Sequence, residues 1–206
     1  MIVIVDMGMG NLGSILNMLE RVKAEAVVSS DPKTISCADK LILPGVGAFD
    51  TAMRHLLGTE LGELLNHKVL DERTPILGIC LGLQLFTTSS EEGALPGLGW
   101  IKGRTVKFNF KNGANYGQRI PHMGWNTVTI KQSPPNIFQG MEEPRFYFVH
   151  SYHLVCDNEE DILTTTHYGY DFVSSVHSGN IWGTQFHPEK SHRFGMKLLS
   201  NFAEMP

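Results

Sequence analysis

Residues 75–84 read PILGICLGLQ, the pattern of a buried strand that turns sharply into a helix. The apolar run Pro75–Ile79 has the length and continuity of a strand that is covered on both faces. Leu81–Thr87 then starts a helix, and Cys80 lies between the two, with a glycine two residues to either side. These glycines leave room for a tight strand-to-helix turn with the cysteine at its tip, the arrangement known as a nucleophile elbow.

Cys80 has two interpretations at such a turn. Most free cysteines are buried and act as small hydrophobic side chains. At the start of a helix, however, the aligned peptide dipoles stabilise a thiolate, and the backbone N–H of Leu81 is placed to stabilise an oxyanion. The flanking glycines favour catalysis for Cys80, whereas Cys37 and Cys156 lack them and are predicted to be structural.

The chain before this turn alternates short strands with helices. Its segments are the strand Ile2–Val5, a helix over Asn11–Ala24, the strands Ala26–Val28 and Leu41–Leu43, and a helix over Ala48–Asn66 with a break expected at Gly58. This order of strands and helices predicts a parallel sheet with helices on both faces.

The pattern changes after Gly99. Strands that predict a largely antiparallel region follow at Thr105–Phe110, Trp125–Ile130, Tyr147–Val155, Asp171–His177 and Ile181–Phe186. Gly179-Asn180 is a hairpin signal, and Ser191 is placed to cap a last helix. The fold class that we expect is therefore α/β, a mostly parallel sheet flanked by helices with an antiparallel β extension, in one domain over residues 1–206.

Composition excludes several classes of protein. Of the 206 residues, 42% are apolar and 18% are charged, which is typical of a globular chain and excludes disorder. A net charge of −4 provides no basic field for nucleic acid or for an anionic membrane. Three cysteines without paired spacing indicate free thiols and a cytoplasmic location. His150 and His153 have no second half-site, so we expect no metal.

A second motif is Thr184–Glu189, TQFHPE, at the end of a predicted strand. His187 and Glu189 are two residues apart, so an extended chain places them on one side, and Pro188 favours extension of the residue before it. The alternative is a solvated strand end. A cysteine nucleophile needs a base, and the base needs an orienting acceptor. Cys80 with this pair suits acyl transfer through a thioester, by a peptidase, a γ-glutamyl hydrolase or a glutamine amidotransferase.

The third strand runs into Pro44–Gly47, PGVG. If that strand lies beside the one leading to Cys80, a backbone N–H of Val46 or Gly47 turns toward the developing oxyanion. Such a donor is worth roughly 3–4 kcal/mol in the transition state. The alternative is an ordinary strand-to-helix turn.

A glycine-rich turn also follows the first strand. Gly8–Gly13 matches G-x-G-x-x-G, and Asp31 lies about 20 residues on, as in dinucleotide-binding sites. The chain has no separate substrate domain, however, and its other motifs describe a covalent reaction that needs no nicotinamide. We therefore expect no cofactor, and a nucleotide-binding regulatory protein is the alternative from another functional class.

Together these motifs resemble those of the class I glutamine amidotransferases, and most of all those of the glutaminase subunits of imidazole glycerol phosphate synthases. The stretches that carry the resemblance are IVDMGMGNLGS, LPGVGAF, GICLGLQLF, PHMGWN (Pro121–Asn126), YFVHSYH (Tyr147–His153) and QFHPEKS (Gln185–Ser191). They cover nearly the whole length. The resemblance implies a flavodoxin-like fold and a glutaminase whose ammonia passes to a (βα)8-barrel cyclase, in a heterodimer that serves histidine biosynthesis.

The resemblance also implies roles for individual residues. Cys80 attacks the side-chain amide of glutamine, and His187, held by Glu189, moves the protons. The residues that match glutamine-binding positions are Gly47, Gln84, Glu92, His150, Ser151 and Tyr152. Those that match positions at the interface with the cyclase are Asn11, Trp125, Tyr147 and Lys190, and Gly8–Gly13 is then a turn at the docking face.

Two features depart from the family pattern. Met7 stands where the family often has tyrosine, and Lys190–Met196 resembles paralogues associated with surface-polysaccharide genes. Those paralogues are associated with an ammonia supply for an amidino or amino group on a sugar. From the sequence alone, the ammonia acceptor is therefore either a histidine-pathway nucleotide or a sugar.

Overall fold

The computed structural model describes residues 1–110, 118–132 and 136–205. Its strands are β1 (Ile2–Val5), β2 (Ala26–Ser29), β3 (Lys40–Gly45), β4 (Ile76–Cys80), β5 (Ser89–Ser90), β6 (Gly103–Lys107), β7 (His122–Thr127), β8 (Thr129–Ile130), β9 (Arg145–His150), β10 (Tyr152–Cys156), β11 (Ile162–Tyr168), β12 (Tyr170–Ser178) and β13 (Ile181–Thr184). Its helices are α1 (Leu12–Arg21), α2 (Pro32–Ser36), α3 (Phe49–Arg54), α4 (Glu60–Asn66), α5 (Leu81–Leu85) and α6 (His192–Glu204). A π-helical turn spans His67–Asp71, and 3-10 turns span Glu159–Asp161 and Pro188–Lys190. None of the helices in these ranges is long and apolar enough to cross a membrane.

Eleven of the described strands form one mixed sheet. Its parallel half has the order β2-β1-β3-β4-β13, and the sheet then continues through β12, β10, β6 and β5. In addition, β11 pairs with β12, and β8 pairs with β11. The strands β7 and β9 form a separate antiparallel pair. Because β3, β4 and β13 are parallel neighbours, their carboxyl ends meet at one edge of the sheet. The predicted α/β class with an antiparallel extension is confirmed.

Both faces of the parallel half are covered by apolar side chains. Along β1, Val3 and Val5 join one buried cluster while Ile2 and Ile4 join the other, on the opposite face. This division explains why the strands of the first half are continuous apolar runs rather than alternating ones.

Several local predictions are confirmed. The strands β3 and β4 lie side by side, and β12 and β13 form a hairpin through Gly179-Asn180. The helix predicted over residues 48–66 divides into α3 and α4, with Gly58 between them in the left-handed region at φ +66°. A glycine adopts this conformation without steric cost, which explains the break.

Other predictions were wrong in their boundaries or missed an element. The strand predicted over Tyr147–Val155 is two strands in different sheets, because the chain turns at Ser151 between β9 and β10. The strand predicted over Trp125–Ile130 likewise divides between β7 and β8. The sequence analysis also missed β11, whose threonine-rich sequence ILTTTHY has no apolar alternation. It missed α2, which has only five residues and is capped by Asp31.

Glycines near Cys80 allow α5 to pack directly against the sheet. A β-carbon at Gly82 would overlap the carbonyl oxygen of Leu43 on β3. A β-carbon at Gly78 would lie 2.6 Å from the Phe86 ring and 2.8 Å from the backbone nitrogen of Leu83. The Leu43 carbonyl that faces Gly82 and the helix backbone that faces Gly78 have little freedom to move. Each contact therefore excludes a side chain at the glycine.

Substitution of Gly82 by alanine is expected to lower the free energy of unfolding by about 3 kcal/mol, because the new methyl group displaces backbone rather than a flexible side chain. In a chain of this length the loss corresponds to a fall in Tm of about 10 °C, measurable by thermal denaturation. The matched control is Gly13→Ala in α1, where a β-carbon meets no atom within 4 Å. Equal Tm values for the two variants would show that α5 does not depend on this close approach.

Candidate active site

Cys80 is the last residue of β4 and immediately precedes α5. Its backbone has φ 55° and ψ −107°, a strained conformation for a residue with a side chain. The register of β3 and β4 places Gly45 beside Cys80. The predicted elbow is therefore present, with a buried thiol at the carboxyl edge of the sheet.

His187 follows β13, the strand on the other side of β4. Its Nδ1 lies 2.8 Å from Oε1 of Glu189, and both side chains are at most 3% exposed. The backbone N–H of His187 donates to the carbonyl of Tyr147 on β9, at 2.9 Å, which fixes the ring's position. His187 itself is extended, with φ −103° and ψ 96°, as predicted for a residue before Pro188. The prediction that the chain stays extended through Glu189 was wrong, because Glu189 lies in the 3-10 turn Pro188–Lys190, which folds its carboxylate back under the ring.

The electrostatic environment favours the protonated form of His187. Burial opposes the positive charge, but interactions with Cys80 and with Glu189 outweigh it and raise the pKa of His187 to about 10. The Nε2 atom of His187 has no well-formed hydrogen bond to any described residue, although the sulfur is close enough to affect the pKa. A carboxylate-oriented imidazolium beside a buried thiol matches the arrangement of a cysteine nucleophile with its base.

A cavity of about 350 Å³ opens above Cys80 and His187. The predicted site residues that line it are Cys80, His187, Leu81, Val46, Gly47, Gln84, Glu92, His150, Ser151, Tyr152 and Lys190. Residues from both halves of the chain thus surround one space. Among them, Glu92 already accepts a hydrogen bond from the backbone N–H of Phe49, at 3.0 Å, so one of its carboxylate oxygens is held by the start of α3.

The oxyanion candidates lie on two adjacent strand ends. Val46 and Gly47 follow Gly45, the register partner of Cys80, and Leu81 is the residue after Cys80. Gly47 has φ +104°, in the region that favours glycine. A peptide in this conformation can present its N–H to the cavity without a side chain in the way.

Gln84 is oriented by two acceptors. Its Nε2 donates to the carbonyl of Tyr152, at 3.2 Å, and to Oε1 of Gln185, at 3.1 Å. Both amide hydrogens are then used, so only the oxygen of Gln84 can contact a ligand. A donor group is therefore the complementary ligand chemistry at this position.

A buried chain of hydrogen bonds reaches the cavity from β7. Nδ1 of His150 donates to the carbonyl of Tyr152, at 2.7 Å, and its Nε2 lies 3.0 Å from Nδ1 of His122. Nε2 of His122 in turn lies 3.2 Å from the amide nitrogen of Asn126. Burial lowers the pKa of His122 to about 4 and that of His150 well below its usual range, so both rings are neutral at pH 7. A neutral imidazole has one donor and one acceptor nitrogen. The Asn126 amide therefore donates to His122, His122 donates to His150, and His150 donates to the Tyr152 carbonyl.

Ser191 was predicted to cap the last helix. Its position is confirmed, but the prediction of a capping hydrogen bond was wrong. It holds the N-cap position of α6 but makes no side-chain cap bond. Its hydroxyl donates to the carbonyl of His187, at 2.6 Å, and accepts from the backbone N–H of Tyr147, at 3.0 Å. It therefore joins the histidine turn to β9.

The four residues proposed for partner contact are at the same edge of the molecule. Trp125 is 42% exposed, and its ring lies 6.3 Å from that of Tyr147, measured between centroids. The ammonium of Lys190 lies 5.8 Å from the centre of the Tyr147 ring. Asn11 is exposed at the start of α1, which packs against the Pro188–Lys190 turn. Sequence analysis missed His192, whose ring stacks on Trp125 with 5.5 Å between centroids.

The acidic residue of the Gly8–Gly13 dinucleotide pattern, Asp31, has a structural role in this fold. The Asp31 carboxylate accepts hydrogen bonds from the backbone N–H and the hydroxyl of Thr34, at 3.0 and 2.8 Å, and caps α2.

Comparison with known proteins places the chain among amidotransferases. Residues 3–205 match the family model described as "Glutamine amidotransferase class-I". The chain is 52% identical over 202 residues to the "Imidazole glycerol phosphate synthase subunit HisH 2" of Methanococcus maripaludis, with 98% of each chain covered. It is 47% identical to the protein of the same name in Pseudomonas aeruginosa, with 100% of each chain covered. A crystal structure described as a glutamine amidotransferase shares the fold with a TM-score of 0.69, at 18% identity and with 96% of this chain and 98% of that chain covered.

Proposed function

The chain belongs to the class I glutamine amidotransferase family, and on this basis we propose that it is the glutaminase subunit of an imidazole glycerol phosphate synthase. Family membership confirms the resemblance seen in the sequence. The observation that carries the site assignment is the Cys80–His187–Glu189 constellation, in which Cys80 and His187 line the cavity and Glu189 lies behind the His187 ring. We place the enzyme in the cytoplasm and treat residues 1–206 as one glutaminase domain.

The proposed reaction starts with the Cys80 thiolate attacking the side-chain amide carbon of glutamine. The resulting oxyanion is stabilised by backbone N–H groups of Leu81 and of Val46 or Gly47. Protonated His187 gives its proton to the amide nitrogen, so the C–N bond breaks and ammonia leaves a γ-glutamyl thioester. Neutral His187 then removes a proton from water, which attacks the thioester and releases glutamate and the thiolate.

The cavity lining suits the amino-acid end of glutamine. The oxygen of Gln84 and the carboxylate of Glu92 are acceptors for an α-ammonium group, and Ser151 and Tyr152 bring backbone to the same space. The neutral histidine chain holds the Tyr152 carbonyl in place. These contacts support a substrate that carries both an amide and an α-amino group.

Ammonia produced here needs an acceptor. We propose that a cyclase subunit docks over Asn11, Trp125, Tyr147 and Lys190 and receives the ammonia for imidazole glycerol phosphate and the aminoimidazole carboxamide ribotide. The decisive experiment mixes the purified chain with the cyclase of the same organism and measures glutamate release with and without the cyclase substrate. We expect stimulation of at least about tenfold. Co-elution with the cyclase without stimulation of glutamate release would contradict the assignment to this synthase, and so would the absence of both.

Trp125→Ala is expected to weaken binding of the cyclase by about 30-fold, because a half-exposed tryptophan stacked on His192 is typical of an interface hot spot. Titration calorimetry measures the effect. The control is Leu70→Ala, since Leu70 is 45% exposed but precedes β4, at the opposite edge of the sheet. Equal losses of affinity in the two variants would exclude the proposed docking face.

A second candidate acceptor is a sugar. The stretch Lys190–Met196 resembles the polysaccharide-associated paralogues. The mixing experiment separates the two, because such a paralogue would make glutamate only with its own synthase partner. Glutaminase chemistry at Cys80 is the same in both cases.

A further inference from the structure

Gln185 lies beside the nucleophile through the pairing of β13 with β4. Thr184, the last residue of β13, is the register partner of Ile79, so the next residues along each strand are Gln185 and Cys80. The Gln185 side chain is fully buried, and its Nε2 lies 3.8 Å from Sγ of Cys80. Its backbone N–H donates to the carbonyl of Ser174, at 2.9 Å, which fixes the residue within the sheet.

The orientation of the Gln185 amide follows from its neighbours. The carbonyl of Tyr152 can only accept, so the atom of Gln84 that contacts it is the amide nitrogen. The same nitrogen lies 3.1 Å from Gln185, and the facing atom of Gln185 must therefore be its oxygen. The nitrogen of Gln185 is left to face the sulfur. This order of donors and acceptors is consistent along the whole chain from Tyr152 to Cys80.

We propose that Gln185 donates a hydrogen bond to the Cys80 sulfur and stabilises its thiolate, while Gln84 holds the Gln185 amide in the donor orientation. This inference rests on the proposed function of Cys80 as the nucleophile. A hydrogen bond to an anion is stronger than one to a neutral group, so the contact favours the thiolate over the thiol. It weakens again when the sulfur becomes a neutral thioester, and it re-forms when glutamate leaves.

The test is the rate at which iodoacetamide alkylates Cys80, measured as a function of pH on the full chain without partner or glutamine. Mass spectrometry of the Cys80 peptide separates this reaction from that of exposed Cys37. Cys156 does not compete, because burial and the nearby Asp161 and Asp157 raise its pKa to about 12. Gln185→Met keeps the length of the side chain but removes the donor. We expect about tenfold slower alkylation at pH 7 and a profile displaced by about one pH unit to higher pH.

The matched control is Gln132→Met. The Gln132 amide also donates to backbone carbonyls, those of Glu160 and Ile162, but it lies outside the cavity. Loss of the Gln132 amide is expected to lower Tm without displacing the pH profile of Cys80 alkylation. If Gln185→Met lowers Tm and its profile superimposes on that of the wild type, Gln185 only packs the site and the proposal is wrong.

Gln185→Glu gives a second measure if Gln185→Met does not fold. The carboxylate still accepts from Gln84, but it presents an oxygen to the sulfur, so alkylation should slow more than tenfold at pH 7. An unchanged rate would overturn the proposal. Glutamate release by the wild type with its cyclase is assayed separately. A displaced alkylation profile without any glutaminase activity would therefore contradict the proposed function and leave the role of Gln185 intact.

Discussion

Replacement of Cys80 by alanine is expected to abolish glutamate formation, with a fall in kcat of at least about a thousandfold. The sulfur is the atom that forms the thioester, and alanine leaves only water to attack the amide. Neither Cys37 nor Cys156 lines the cavity, so neither can replace it. The measurement is glutamate release in the presence of the cyclase, since the partner is expected to stimulate the reaction.

The control for this prediction is Cys37→Ala. Cys37 is exposed and lies at the end of α2, away from the cavity, so its loss should leave the rate unchanged. Alanine at Cys80 removes one sulfur atom and adds no heavy atom, so thermal denaturation should show a folded protein. Activity above one per cent of the wild type in folded Cys80→Ala would exclude Cys80 as the nucleophile.

Glu189→Gln is expected to reduce kcat/KM by about a hundredfold to ten-thousandfold. The carboxylate accepts a hydrogen bond from Nδ1 of His187, at 2.8 Å, and so directs Nε2 toward the sulfur. A glutamine can present its amide N–H2 to Nδ1 instead, which stabilises the wrong tautomer of the ring. The side chain keeps its size, so the loss reflects orientation and charge rather than packing. Steady-state glutaminase assays with the cyclase give the value.

The pH profile of Glu189→Gln distinguishes this role from a structural one. In the wild type, burial lowers the pKa of His187, while Cys80 and the negative Glu189 raise it, with a net value of about 10. Removal of one negative charge lowers this pKa, so His187 loses its proton at lower pH. The basic limb of the activity profile should therefore move to lower pH. A basic limb at the same pH as in the wild type would contradict the role assigned to Glu189. Glu25→Gln, at an exposed carboxylate remote from the cavity, should change neither rate nor profile.

Local stereochemistry made the elbow predictable. A turn from β4 into α5 needs small residues where the helix approaches the sheet. Gly82 stands where the helix meets β3, and Gly78 stands where β4 meets the helix and the Phe86 ring. The βαβα order and the hairpin at Gly179-Asn180 followed from equally local patterns. Such features depend on residues within a few positions of each other, which a sequence shows directly.

Long-range partners were not predictable in the same way. Ser191 has the residue type and position of a helix cap, yet its hydroxyl bonds to His187 and Tyr147 because β9 passes beside the turn. His122 lies in a recognisable motif, but only the pairing of β7 with β9 brings it opposite His150. The spacing of these residues along the chain predicts neither contact.

The sequence by itself determined that a glycine-flanked cysteine, a His-Pro-Glu motif and a glycine-rich strand end are present, because each motif is local. Only the tertiary structure decided what surrounds the sulfur. Gln185 and Cys80 are 105 residues apart and meet because β13 pairs with β4 in one register. A shift of that register by one residue would turn the Gln185 side chain to the other face of the sheet. Which side chain lies against the Cys80 sulfur is therefore decided by strand pairing, and no local pattern could reveal it.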